Sequence, residues 1–241
     1  HRHRLGRLDQ GRGLGVDAYL ADLNAAVDLA PGPPILVGLC QGGWLSLVYA
    51  AVFPGKVAKL VVAGSPVDTS SPSQIADSAR NVAPQTVEDL IAAGGGLVSG
   101  RAALGVFRAV GNAEIDACDI LQIETAGAAK AVERFVAWDA RTVDLPGRYY
   151  ADVLNWVFRD NRLAGGDFPV FGRPTPLSRV TAPIFALAGE KDAVAPPPQV
   201  FGALDLVGTP APARAKRLAE CGHLSLFMGA AAVLLLAAAG H

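Results

Sequence analysis

Apolar and polar positions recur along the chain with two different periods, and each change of period marks an element. From Val16 to Leu29 the apolar residues Val16, Leu20, Leu23 and Val27 recur at helical spacing, which predicts a helix. Pro31-Gly32-Pro33-Pro34 stops it, because proline cannot continue a helix. Ile35-Leu36-Val37-Gly38-Leu39 is a short unbroken apolar run, the pattern of a strand buried on both faces. Trp44–Phe53 then reads as a helix closed by Pro54-Gly55, and Val57–Ala63 as a second buried strand. Strand, helix and strand within about 30 residues make a βαβ unit, so the sheet is expected to be parallel.

Residues 69–177 change character. Pro/Ser turns and the Gly94-Gly95-Gly96 break interrupt the pattern, and helical stretches fall at Glu114–Ala137 and Tyr149–Phe158. No strong strand is expected there before Pro169–Gly172, so the segment reads as a mainly helical insertion. Its apolar residues Leu97, Val98, Phe107, Val110, Phe135 and Trp138 suit a lid over an apolar channel, or equally the packing of a helical cap. Buried-strand character returns at Pro183–Gly189. A helix at Gln199–Val207, a short strand at Ala215–Ala219 and an Ala/Leu-rich helix from Leu224 follow. There is no internal repeat and no linker. The expectation is one α/β domain over 1–241, with 1–15 a basic tail, 16–68 and 178–241 the core, and 69–177 the insertion.

Composition narrows the classes. Hydrophobic residues are 51% and charged residues 18%, which excludes disorder for most of the chain. A net charge of −1 removes any bulk electrostatic case for nucleic-acid binding. Arg2, Arg4, Arg7 and Arg12 crowd the first residues and read as a solvated tail, a basic binding arm being the alternative. Cys40, Cys118 and Cys221 are odd in number and far apart, which is no disulfide framework and points to a reducing, cytoplasmic setting. The start has no continuous apolar signal region, and the run Ala230–Ala239 is about half of what crosses a bilayer.

The chemistry starts at Gly38-Leu39-Cys40-Gln41-Gly42-Gly43, between a predicted strand and a predicted helix. A nucleophile on such a turn is lifted clear of the sheet, and the next backbone N–H, that of Gln41, faces the developing oxyanion. Glycine is expected at Gly38 and Gly42 because a Cβ there would clash, and Gly43 allows still closer packing. A helix N-terminus also favours a thiolate. The competing reading makes Cys40 a small buried hydrophobe. Of His1, His3, His223 and His241, only His223 lies away from the chain ends, so it is the candidate base. Asp192, after the apolar strand and Gly189, is the candidate acid, with Asp68 as the alternative. The order nucleophile, acid, histidine is that of α/β-hydrolases. Cys221-x-His223 lacks a second ligand pair, so no metal is expected, and nothing calls for a cofactor.

These residues resemble the polyhydroxyalkanoate synthases, whose lipase-like box carries cysteine in place of serine. The likeness runs on through Trp138-Asp139-Ala140-Arg141-Thr142, Leu145-Pro146-Gly147, Tyr150, Asn161-Arg162-Leu163, Gly166, Gly172, Leu177 and Pro183. It ends at Asp192 and Gly222-His223. The resemblance implies an α/β-hydrolase fold whose insertion is a lid, and a triad of Cys40, Asp192 and His223. It implies 3-hydroxyacyl-CoA or a polyester as substrate, a homodimer and association with polyester granules. Only 39 residues precede Cys40, so the first strands of that fold are expected to be missing. Cysteine favours transfer on chemical grounds: exchanging one thioester for another costs little, and the bound thioester can still acylate a hydroxyl. The alternatives are an esterase, a thioesterase or an intracellular polyester depolymerase using the same triad, and a non-catalytic granule protein. Dienelactone hydrolases share the box but have no lid, whereas here a lid-sized stretch separates Cys40 from Asp192.

Overall fold

The computed structural model describes residues 13–103 and 140–228, together with Glu133 and Ala137. The arginines up to Arg12, Phe107, Val110, Cys118, Phe135, Trp138, Asp139 and the Ala/Leu run beyond Met228 lie outside the described residues. So does the helix expected over Glu114–Ala137, except that Glu133 and Ala137 are helical.

Helix α1 (Val16–Val27) buries Val16, Leu20 and Val27. Strand β1 (Ile35–Leu39) leads through Cys40 into α2 (Gln41–Val52), and β2 (Lys59–Ala63) follows. Helix α2 starts at Gln41 rather than Trp44, because the whole change of direction is made at Cys40. Next come α3 (Gln74–Asn81) and α4 (Pro84–Ala93). The pair β3 (Leu97–Val98) and β4 (Leu145–Pro146) is a two-residue antiparallel ladder, too short to leave a period in the sequence. Helix α5 (Gly147–Asp152) runs directly into a π-helical turn at Val153–Arg159, so the helix expected at Tyr149–Phe158 changes pitch half-way. Helix α6 (Arg162–Gly165) and a small hairpin of β5 (Pro169–Val170) and β6 (Arg173–Pro174) close the insertion.

The chain then returns to the sheet as β7 (Ile184–Gly189). The expected helix Gln199–Val207 is two pieces, α7 (Pro197–Phe201) and α8 (Ala203–Leu206). They meet at Gly202, where an added Cβ would stand 2.7 Å from Asp68 Cβ. Strand β8 (Arg214–Ala219) and the short helix α9 (Ser225–Met228) complete the described chain. No helix among the described residues is long and apolar enough to cross a membrane.

The main sheet has the order β1-β2-β7-β8 and every pairing is parallel. Side chains alternate across it as the pleat requires. Leu60, Val62, Ile184, Ala186 and Ala188 join the larger core cluster, while Val61, Ala63 and Leu187 face a smaller one with Cys221 and Leu226. The larger cluster is continuous from α1 and α2 into the insertion, through Ile75, Tyr149, Val153 and Phe158. Strand β1 departs from expectation. Ile35, Val37 and Leu39 are 40%, 47% and 39% exposed rather than buried. Among the described residues β1 pairs with β2 alone, so it is a sheet edge, with these side chains partly open.

Candidate active site

Cys40 sits at φ 50°, ψ −117°, a backbone conformation that side chains with a Cβ rarely adopt. Such a conformation persists only where the surroundings over-determine it. Here they do so by close packing. A Cβ at Gly38 would fall 2.4 Å from the Gly42 carbonyl oxygen and 2.5 Å from Gly43 Cα. At Gly43 it would fall 2.6 Å from Ser65 Cβ, because the first turn of α2 is pressed against the end of β2. Gly42 differs: an added Cβ there meets nothing within 4 Å. The steric need expected at Gly42 is therefore carried by Gly43. The Cys40 N–H donates to Ala63 O at 2.9 Å, which fastens the turn to β2.

Asp192 and His223 come from beyond the ends of β7 and β8. Asp192 follows β7, where its N–H donates to Gly189 O at 3.2 Å. Its Oδ1 accepts from the N–H groups of Val194 (2.9 Å) and Ala195 (2.8 Å). Oδ2 lies 2.8 Å from His223 Nδ1, and the Asp192 side chain is fully buried. His223 lies in the turn between β8 and α9, where the nearby Cys40 side chain also favours a protonated ring. The Phe227 ring and the imidazole make a T-shaped pair, 5.0 Å between centroids and 88° between planes. All three side chains therefore meet beyond the C-terminal ends of parallel strands, the usual place for a site in such a sheet.

Burial lowers the affinity of His223 for a proton, but the charge of an ionised Cys40 and the bond to Asp192 outweigh it. The imidazole is pushed from 6.5 up to about 10. Asp68 is engaged elsewhere: its Oδ1 accepts from Ser70 N (3.0 Å) and Asn161 Nδ2 (2.9 Å). Burial opposes ionisation of Asp68, yet these bonds hold its carboxyl below the usual range. It serves as the anchor where the insertion leaves β2, and Asp192 takes the place beside His223.

The family model for the alpha/beta hydrolase fold matches residues 7–230. The chain belongs to the α/β-hydrolase fold family. Within that family it is similar to poly(3-hydroxyalkanoate) polymerase subunits PhaC. It is 31% identical to that of Synechocystis over 203 residues, covering 77% of this chain and 53% of the relative. It is 27% identical to that of Haloferax mediterranei over 174 residues, covering 67% of this chain and 34% of the relative. The chain thus spans between a third and about half of these relatives. Among solved structures, an esterase from Exiguobacterium antarcticum superposes with TM-score 0.58 at 17% identity, over 95% of this chain and 74% of that one. A Paleococcus ferrophilus monoacylglycerol lipase gives 0.57 at 15%, over 95% and 75%. At those identities the likeness is one of fold.

The candidate site in this α/β-hydrolase fold also includes residues that the sequence alone did not single out. Gly64, at φ +53° after β2, leaves room for the histidine: a Cβ there would stand 3.3 Å from His223 Cε1 and 3.0 Å from Leu226 Cδ1. Phe227 follows His223 by four positions, a spacing that could have signalled contact. Tyr149, on α5, donates its hydroxyl to Gln41 Oε1 at 2.6 Å. Nothing in the sequence links two residues 108 positions apart. Beside that pair lies an apolar cavity of about 100 Å³, lined among others by Ile75, Val82, Val153 and Phe158.

Proposed function

We propose that this chain carries the acyl-transfer centre of a polyhydroxyalkanoate polymerase, with Cys40 as nucleophile, His223 as base and acid, and Asp192 as the group that orients His223. The observation that carries the reading is His223 standing between a cysteine and a buried carboxylate. In the first half-reaction Cys40 Sγ gives its proton to His223 and attacks the carbonyl of a 3-hydroxyacyl-CoA. The Gln41 N–H, at the N-terminus of α2, donates to the oxyanion. The carbon–sulfur bond to CoA breaks, and the departing thiolate takes the proton from His223. In the second half-reaction the 3-hydroxyl of another acyl unit loses its proton to His223 and attacks the Cys40 thioester. An oxygen ester forms, and Sγ recovers the proton.

Asp192 suits its role because Val194 and Ala195 occupy its other oxygen, which leaves Oδ2 aimed at Nδ1. Once Cys40 is ionised, its charge and Asp192 keep the proton on His223 through neutral pH, ready for the leaving thiol. The α3–π-turn part of the insertion, with its apolar cavity beside Gln41, is read as the cover over the acyl group.

The test is incubation with 3-hydroxybutyryl-CoA, following free CoA and the mass of the peptide that contains Cys40. Release of CoA, a 3-hydroxybutyryl adduct on Cys40 and ester-linked oligomers are expected. Equal amounts of CoA and free 3-hydroxybutyrate without oligomer would establish a hydrolase instead. A folded preparation that no acyl-CoA labels would overturn the reading.

A further inference from the structure

We propose that Tyr149 is a positioning residue that acts through Gln41: its hydroxyl holds the Gln41 side chain in the rotamer that keeps the adjoining apolar cavity open, and so sets the preference for longer acyl side chains. As a statement about acyl groups this rests on the transfer reading above.

The Tyr149 hydroxyl reaches Gln41 Oε1 at 2.6 Å, and both residues line the cavity that Ile75, Val82, Val153 and Phe158 make apolar. Gln41 follows Cys40 in the chain, so its side chain is the part of the cavity wall that adjoins the nucleophile turn. The donor is itself rigid. Tyr149 is 4% exposed and packs on the Tyr19 ring at 4.3 Å between centroids. Its N–H donates to Leu14 O at 3.1 Å, and Asp152, one turn on, accepts from Val16 N at 3.2 Å. Helix α5 is thus bolted to the start of α1, and Tyr149 presents its hydroxyl from a fixed base. Burial, together with the nearby Tyr19 and Cys40, raises the phenol well above its ordinary value, so it stays a donor throughout the working range. Among the described residues Tyr149 is the sole partner of the Gln41 side chain. Without it the amide, flexible about three torsions, is free to swing across the mouth of the cavity.

The test alkylates Cys40 with N-methyl- and N-hexyl-iodoacetamide, in which the sulfur forms a thioether and iodide leaves. This reads the cavity whether or not the chain transfers acyl groups. The wild-type chain should favour the hexyl reagent about fivefold over its preference in free cysteine, a factor of the size one hydrogen bond controls. Tyr149→Phe, which keeps the ring on Tyr19, should bring that preference close to the free-cysteine value. Gln41→Met should do the same, and the double variant should lose no more than either single one. Thermal unfolding of each variant checks that it is folded. A wild type with no hexyl preference, or a preference that both single variants retain, overturns the proposal. The same ratio is then measured with 3-hydroxyhexanoyl-CoA and 3-hydroxybutyryl-CoA. If alkylation follows the pattern while no acyl-CoA labels the wild type, the transfer reading fails and the role of Tyr149 stands.

Discussion

The turn after β1 and the loop after β7 each bring one side chain toward His223, yet they are held by different forces. At the turn, Cys40 is kept at a positive φ by backbone packed so closely that Gly38 and Gly43 have no space for a methyl group. At the loop, Asp192 is held by hydrogen bonds: two N–H groups on one oxygen and the imidazole on the other. Close packing is indifferent to protonation and intolerant of volume. A hydrogen-bonded carboxylate tolerates small changes of shape but depends on charge. Substitutions can therefore separate the two.

The largest effect is expected at the loop. Asp192→Asn nearly preserves volume but removes the charge, and Cys40 acylation should slow by roughly three orders of magnitude. Single-turnover mass spectrometry with an acyl-CoA would measure it, and a loss below about tenfold would show that Asp192 does not orient His223. At the turn, Gly38→Ala leaves all charges in place and should cost about 3 kcal/mol of stability, from denaturant unfolding, because backbone must move. A third measurement exploits the raised imidazole. Its folded-state value of about 10 lies above the ordinary 6.5, so the stability it contributes is complete below about 6.5 and is lost as pH rises through about 10. The unfolding free energy should fall across that window by on the order of a few kcal/mol, and His223→Gln should flatten the slope. Gly38→Ala should keep the slope, since packing does not titrate. The smallest effect is expected at Gly42, where open space makes Gly42→Ala neutral or stabilising by about 0.5 kcal/mol. A loss as large as that of Gly38→Ala would contradict the division of labour between the two glycines.

Much of the parallel sheet was legible because its strands are short apolar runs between proline and glycine breaks. The grouping of Cys40, Asp192 and His223 was legible for a different reason: histidine is scarce here, and the order of strands limits which carboxylate can reach it. The exposure of β1 was not, since a strand open at one edge has the same apolar composition as a buried one. The contrast between Gly42 and Gly43 depends on where Ser65 stands, which is a fact of packing between α2 and β2. Tyr149 was hidden because its partner is distant in sequence and its spacing fits an ordinary helix. The change of pitch at Val153 has no period of its own.

That change of pitch fixes an angular phase. Each residue of an α-helix advances about 100° around the axis, and a π turn accommodates one residue more than an α turn would. Beyond Val153 every side chain is rotated relative to a continuous α-helix. Phe158 reaches the cavity, and Arg159 reaches the carbonyl oxygens of Ala79 and Val82 at the end of α3. Relaxing the segment to α pitch with its length unchanged would turn both side chains away together, by roughly 90°. The pitch of this stretch thus acts as a combination setting, shared by the cavity wall and by the fastening of α3, that cannot be altered for one without the other.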